Sequence, residues 1–259
     1  VLLFSVFAND WNLQERLRPV GDLYDLPMVS IRDAVTPQFS LKCGEGRILS
    51  KNQFFYDIFH PNNIGHTIMA DCLQYLFERC DAAEPARVGT FVEGMTEEQI
   101  LSEKLFGPAV IGADFERIFL LDKKNRYVGA KIRTGSFTST DIGLQSVEMD
   151  GNLTQTPEFP YNWMYDGSRP QMPGFEMEIT CKSLFLIFKD SGEMDVGKAN
   201  VFVNDVYCMT ADPHKNNWLH CNAVLLFWET ESRSHKVRIA VTEEDRNKKF
   251  TILGFGYTI

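Results

Sequence analysis

Residues 54–73, FFYDIFHPNNIGHTIMADCL, hold the reading on which the fold turns. Asp57 stands three residues before His60, Pro61-Asn62 follows, and an apolar helical pattern begins at once. That pattern predicts a helix from about Asn63 to Cys80, with Ile64, Ile68, Met69, Cys72, Leu73 and Leu76 on one face. Pro61 and Asn62 are suitable start signals for it. Three-residue spacing on a loop lets the carboxylate and the imidazole turn toward one point. A carboxylate that accepts the Nδ1 proton holds the ring in one tautomer, and Nε2 can then take a proton from a hydroxyl. The same residues suit a plainer role, a loop aspartate capping the helix with a histidine at its start.

Toward the N-terminus, VLLFSVF (1–7) reads as a buried strand. From Asn12 to Tyr24 the apolar positions Leu13, Leu17, Val20 and Leu23 have helical spacing. LPMVSI (26–31) is a second short buried strand, and RDAVTPQF (32–39) a turn or short helix. Strand, helix, strand, helix implies a parallel sheet with covering helices. The first residue already lies inside an apolar run without a basic leader, so further polypeptide upstream of Val1 is expected.

Toward the C-terminus, AAEPARVG (82–89) reads as linker, and MTEEQILSEKL (95–105) as a short helix with Thr96 at its N-cap. From about Asp114 the period becomes two. FERIFLLD, FEMEITCKSLFLIFK, ANVFVNDVY, NAVLLFWE, HKVRIAVTE and KKFTILGFGYTI are strand-like, with turn residues between them. Such a series predicts an antiparallel β-sandwich. EEDRNKK (243–249) reads as an exposed turn. The expected organisation is α/β plus all-β: a first domain over 1–83, a connector over 84–113 and a sandwich over 114–259.

The totals bound the chemistry. The 259 residues are 44% hydrophobic and 12% aromatic, enough for one large core or two ordinary ones. The formal charge of −9 repels phosphate backbones and anionic lipid, which argues against nucleic acid as a partner. No run of 18 apolar residues exists, so no membrane-spanning helix is expected. Six cysteines (43, 72, 80, 181, 208, 221) show no CxxC and read as free, mostly buried thiols. His214 and His220, with Asp212 nearby, fit no tight metal motif, and no phosphate-binding loop or dinucleotide fingerprint occurs. No metal or cofactor is called for.

D-x-x-H-P-N-x-x-G-H followed by an apolar helix resembles the final catalytic block of the SGNH (GDSL) hydrolases. NLQERLRPVGDLYDLPMVSIRDAV (12–35) is similar to the run that precedes this block in SGNH carbohydrate esterases. The resemblance covers about residues 1–80 and implies the C-terminal part of a three-layer α/β/α domain, followed by a jelly-roll-like sandwich. It implies Asp57 as triad acid and His60 as base, with Asn62 and His66 in structural positions at the helix start. The Gly-Asp-Ser, glycine and Gly-x-Asn-Asp blocks that should precede this one are not in the chain. Asn9-Asp10 lacks the glycine and reads as loop, and neither Ser5 nor Ser30 sits in a nucleophile elbow. The nucleophilic serine is therefore expected upstream of Val1.

A second constellation is aromatic. FPYNWMYDGSRPQMPGF (159–175) puts Phe159, Tyr161, Trp163 and Tyr165 in a Pro/Gly-rich stretch, and Trp218 and His220 lie in HKNNWLHC. Loop aromatics can stack on sugar rings, or they can close the end of a sandwich core, and both readings fit. Trp228 reads as core. SGNH carbohydrate esterases with an attached sandwich look like this whole chain, and in them the sandwich can wall the active site. By that resemblance Trp163, Trp218 and Tyr165 are the candidate substrate-binding residues.

The expected activity is removal of O-acetyl groups from a mannan or xylan, as polysaccharide or oligosaccharide. A non-catalytic carbohydrate-binding protein and an SGNH lipase or thioesterase are the alternatives. Expected partners are the acetylated carbohydrate and the missing N-terminal part of the same domain, with a homo-oligomer left open. The cytoplasm is favoured over export.

Overall fold

The structure is a computed structural model and describes residues 1–82, 94–96, 98–99, 102, 106–107, 112–149, 152–216 and 218–259. The chain divides into two compact units, Val1–Val110 and Ile111–Ile259. The linker expected at 82–89, beyond Ala82, and most of the helix expected at 95–105 lie outside the described residues.

In the first unit β1 (Leu2–Phe4) pairs in parallel with β2 (Met28–Ser30), with Leu3 opposite Val29. Parallel neighbours need a crossover, and α1 (Gln14–Tyr24) supplies it. α2 (Ile31–Phe39) starts directly after β2, its first turn capped by the Ser30 hydroxyl, which accepts the Asp33 N–H. A short α3 (Lys51–Phe54) and the long α4 (Asn63–Ala82) follow. The core is Val6, Ile31, Val35, Phe54 and Phe55, with Ile68, Met69 and Cys72 of α4 packed on it.

α1 differs from expectation. Its spaced Leu17, Val20 and Leu23 are exposed, and its buried residues are Gln14 and Gly21. A two-stranded sheet offers too little apolar surface to cover that stripe. The helix instead meets the sheet through Gly21, where a β-carbon would fall 2.2 Å from Met28 Sδ.

The second unit is antiparallel. Its strands are β3 (Phe119–Leu121), β4 (Ala130–Arg133), β5 (Ser146–Met149), β6 (Asn152–Pro157), β7 (Trp163–Tyr165), β8 (Phe175–Asp190), β9 (Ala199–Val203), β10 (Val206–Ala211), β11 (His220–Val241) and β12 (Phe250–Thr258). The main sheet runs β10-β9-β11-β8-β12-β3, with β4 also on β8 and β7 also on β12; β5 and β6 form a separate hairpin.

β8 and β11 build a sandwich from one sheet. The first half of β8 pairs with β4 and the end of β11, and its second half with β12 and the start of β11. Register shifts between Trp228 and Arg233 mark where β11 passes from one half to the other. The halves face each other across aromatic packing: Phe175 stacks on Phe255 at 5.6 Å and meets Trp163 edge-on at 5.3 Å. Along β8, Phe175, Met177, Ile179 and Cys181 are buried while Glu178 and Thr180 are exposed, the alternation of a half-buried strand. Asn204 and Asp205, at φ 52° and 64°, make the two-residue turn between β9 and β10.

Three expectations need correction. NAVLLFWE and HKVRIAVTE are one strand, because the bulged register carries β11 through the polar residues between them. Trp228 is exposed at that shift rather than core. Only Cys181 is buried; Cys43, Cys80 and Cys208 are exposed, and all six thiols are free. Burial pushes the Cys181 thiol up to about 12, so it stays protonated and inert. Among the described residues no helix is long and apolar enough to cross a membrane.

Candidate active site

The Asp57–His60 loop is closed by its own backbone. Phe55 and Pro61 form an isolated antiparallel bridge, and Tyr56 N–H donates to His60 O at 2.8 Å. Asp57 Oδ1 accepts the N–H groups of Phe59 (2.7 Å) and His60 (2.8 Å), the aspartate-capped turn that such a loop favours. The same carboxylate meets His60 Nδ1, at 2.8 Å from Oδ2 and 3.0 Å from Oδ1. An ionised carboxylate can only accept, so Nδ1 carries a proton, and in the neutral ring Nε2 presents the lone pair. The hydrogen bond from the His60 ring, reinforced by the Phe59 N–H, holds the Asp57 carboxyl below its ordinary value. The His60 side chain is 70% exposed, so a reactant can reach it.

Neighbouring elements fix the loop at the carboxyl end of the parallel strands, where open α/β sheets bind ligands. Ala8, beyond β1, donates its N–H to Ile58 O at 2.9 Å. Lys51 Nζ donates to Ala8 O at 2.7 Å and pairs with Asp10 Oδ1 at 2.8 Å. Behind the loop, Asn62 caps α4 by accepting the Gly65 N–H at 3.0 Å, and its own N–H reaches Phe54 O at 2.9 Å. His66 is exposed on the first turn of α4.

Among the described residues no serine hydroxyl bonds to His60. Ser30 donates to Gln14 Oε1 at 2.6 Å while capping α2, and Gln14 Nε2 continues to Asp33 Oδ2 at 2.7 Å. Asn9 and Asp10 are bound into a turn: Asn9 Oδ1 accepts the Trp11 N–H at 3.1 Å, and Asp10 has φ 68°. Sequence reasoning passed over the aromatic surface beside the loop. Trp11 stacks on Phe7 (5.0 Å), Phe7 meets Phe59 edge-on (5.3 Å), and Phe59 meets His60 edge-on (6.3 Å). These rings follow no helix or strand period, and the only signal was a tryptophan directly after an Asn-Asp turn.

The candidate substrate-binding aromatics separate. Trp163 and Tyr165 are not loop platforms; they form β7, paired to Ile252 and Phe250 of β12, and both are 4% exposed. The strand pairing turns both side chains into the core, and the Tyr165 hydroxyl donates to Arg246 O. Trp218 is 55% exposed and stacks on His220 at 4.2 Å and 13°. His220 is fixed by donating Nδ1–H to Trp218 O (2.9 Å) and accepting at Nε2 from Asn216 Nδ2 (2.9 Å). Beneath it, the buried Asp190 accepts from Asn222 Nδ2 at 2.6 Å. His214 donates Nε2–H to Glu193 O at 3.1 Å. Among the described residues no group of three or more His, Cys, Asp or Glu could hold a metal ion.

No protein-family model matches the chain, and no curated protein sequence is significantly similar to it. Solved structures are similar in fold. A two-domain esterase (CEX) active on acetylated mannans matches all of this chain at 17% identity and a TM-score of 0.65. The same kind of esterase co-crystallized with mannopentaose matches 99% of it, at 16% identity and 0.64. The chain spans 63% and 62% of the length of those two chains. A family two carbohydrate esterase from Cellvibrio japonicus matches 55% of the chain at 12% identity, and its TM-score of 0.33 is too low to bear on the fold.

Proposed function

We infer that this chain is part of a serine-type carbohydrate esterase that removes O-acetyl groups from mannan-type polysaccharide or oligosaccharides, xylan being the second candidate. The observation that carries this reading is the His60 imidazole, oriented by Asp57 through Nδ1 and reachable at the carboxyl end of a parallel sheet. The shared fold with an esterase active on acetylated mannans supports the substrate class.

In this reading the first unit belongs to an SGNH-type three-layer domain and the second is a jelly-roll-like accessory domain. The serine comes from polypeptide outside this chain. The exposed Leu17, Val20 and Leu23 on α1 and the narrow sheet beneath it support further strands and helices packing here. His60 Nε2 takes the serine proton as Oγ attacks the acetyl carbon. The tetrahedral intermediate collapses, and His60 returns the proton to the sugar oxygen that leaves. Water then attacks the acetyl-enzyme with His60 again as base, releasing acetate and the serine. Asp57 keeps the tautomer and stabilises the imidazolium at each step.

Trp218, exposed and braced on His220, is the sandwich residue we assign to carbohydrate contact.

The test is acetate release from acetylated mannan oligosaccharides by the whole protein and its His60→Ala variant. The variant is expected to lose at least ~10³ in kcat, the scale of triad knockouts. Near-normal turnover in it would remove His60 as base.

A further inference from the structure

We propose that Trp11 is the sugar-stacking residue of the Asp57–His60 site, taking the apolar face of the pyranose ring that carries or adjoins the ester. The proposal rests on the esterase reading above and adds a positioning and specificity-determining residue to it.

Three observations lead there. The first is exposure: Trp11 keeps 51% of its surface open although one side of its indole is stacked on Phe7, with the rings 22° from parallel. A flat indole face suits the C–H face of a sugar. The second is rigidity. Phe7 N–H donates to Trp11 O at 2.9 Å, Asp10 N–H donates to Phe7 O at 2.9 Å, and Asn9 Oδ1 takes the Trp11 N–H. Asp10 sits at φ 68°, an uncommon conformation for a residue with a β-carbon, and Lys51 pins its carboxylate. A turn clamped in this way presents its side chain in one place, so little ordering entropy is lost when a ligand binds.

The third is position. Trp11, Phe7, Phe59 and His60 form an unbroken series of ring contacts, and the Ala8–Ile58 hydrogen bond ties the Trp11 turn to the histidine loop. A ring stacked on Trp11 is therefore held at a fixed offset from the imidazole. Phe59 (55% exposed) and Ile58 (54%) extend the apolar border on the loop itself. An acyl chain would also favour apolar surface, and the octanoyl ester in the test below distinguishes it from a pyranose stacked on the indole.

Trp11→Ala and Trp11→Tyr in the whole protein test this, with acetylated mannan oligosaccharide, p-nitrophenyl acetate and p-nitrophenyl octanoate as substrates. In Trp11→Ala, kcat/KM on the oligosaccharide ester is expected to fall at least tenfold further than on p-nitrophenyl acetate, chiefly through KM, and Trp11→Tyr to recover most of it. Affinity for unacetylated mannopentaose, measured by calorimetry, should fall at least tenfold on adding Trp11→Ala to His60→Ala. That readout needs no catalysis, so it stands even if His60→Ala leaves p-nitrophenyl acetate hydrolysis intact and the esterase reading fails. Equal losses on the sugar and acetyl esters, a larger loss on the octanoyl ester, or unchanged mannopentaose affinity would overturn the proposal. Loss of the cooperative melting transition in Trp11→Ala would also overturn it, by assigning the indole to packing.

Discussion

Gly65 lets the first turn of α4 press against the carbonyl of Phe54. A β-carbon at residue 65 would lie 2.4 Å from Phe54 O and 2.7 Å from Pro61 Cβ. Phe54 O is the acceptor for Asn62 N–H, and Asn62 in turn caps α4 at Gly65. Gly65 is therefore a spacing element that holds both ends of the histidine loop. Gly65→Ala should push the helix start away from Phe54 and loosen the Asp57–His60 pair. The expected cost is about 1–3 kcal/mol in unfolding of the first unit, as for other forced insertions into packed sites. Chemical denaturation checks it, and an unchanged midpoint would show that the helix start moves freely.

The depressed Asp57 carboxyl links the stability of the loop to acid pH. Its folded value lies below the ordinary carboxylate range, chiefly because of the His60 bond. Its contribution to stability is thus present above the unfolded carboxylate pKa and is lost as pH falls through the lower folded value. Asp57→Asn should lower kcat by about 10³–10⁴ by removing the tautomer lock, a scale borrowed from serine-protease triads. Near-normal kcat in Asp57→Asn would contradict the assignment.

Trp163 and Trp218 should respond oppositely to truncation. Trp163 packs against both Phe175 and Phe255, so Trp163→Ala should cost about 3–5 kcal/mol of sandwich stability. Trp218→Ala removes an exposed ring and should change stability by no more than about 0.5 kcal/mol. Under the carbohydrate-contact assignment it should also weaken mannopentaose binding. Urea unfolding and calorimetry on the two variants separate the roles, and a Trp163→Ala protein of unchanged stability would refute the core placement.

Asp166, in the second unit, offers a measurable titration. Hydrogen bonds from the Ser139 hydroxyl, then from the Ser168 hydroxyl and N–H, lower its carboxyl to about 2. The folded value is depressed, so the stability it contributes is full above the ordinary carboxylate pKa of about 3.9 and disappears as pH falls toward 2. Ser139→Ala should raise the Asp166 pKa toward the ordinary value, visible in carboxyl-carbon NMR. No movement would mean that the Ser139 bond is not made in solution.

Much of the fold was readable because its rules are local. Burial of Phe175, Met177, Ile179 and Cys181 beside exposed Glu178 and Thr180 follows from a period of two. The start of α4 follows from Asn62, whose side chain reaches only three residues on. The contact between Asp57 and His60 closes within four residues, and no distant element is needed to form it. Readings that failed involved partners far along the chain. The apolar spacing of α1 gave the right helix but could not say how wide a sheet would lie beneath it. FPYNWMYDG looks like loop until Ile252 and Phe250 draw Trp163 and Tyr165 into register.

By itself the sequence determined the start of α4, the period of β8, and the meeting of one carboxylate with one imidazole, since these depend on backbone geometry and on neighbours within a turn. Only the tertiary structure decided which aromatics face water. Burial of a side chain depends on strands and loops far away in sequence, and no local pattern distinguishes the buried Trp163 from the exposed Trp11 and Trp218.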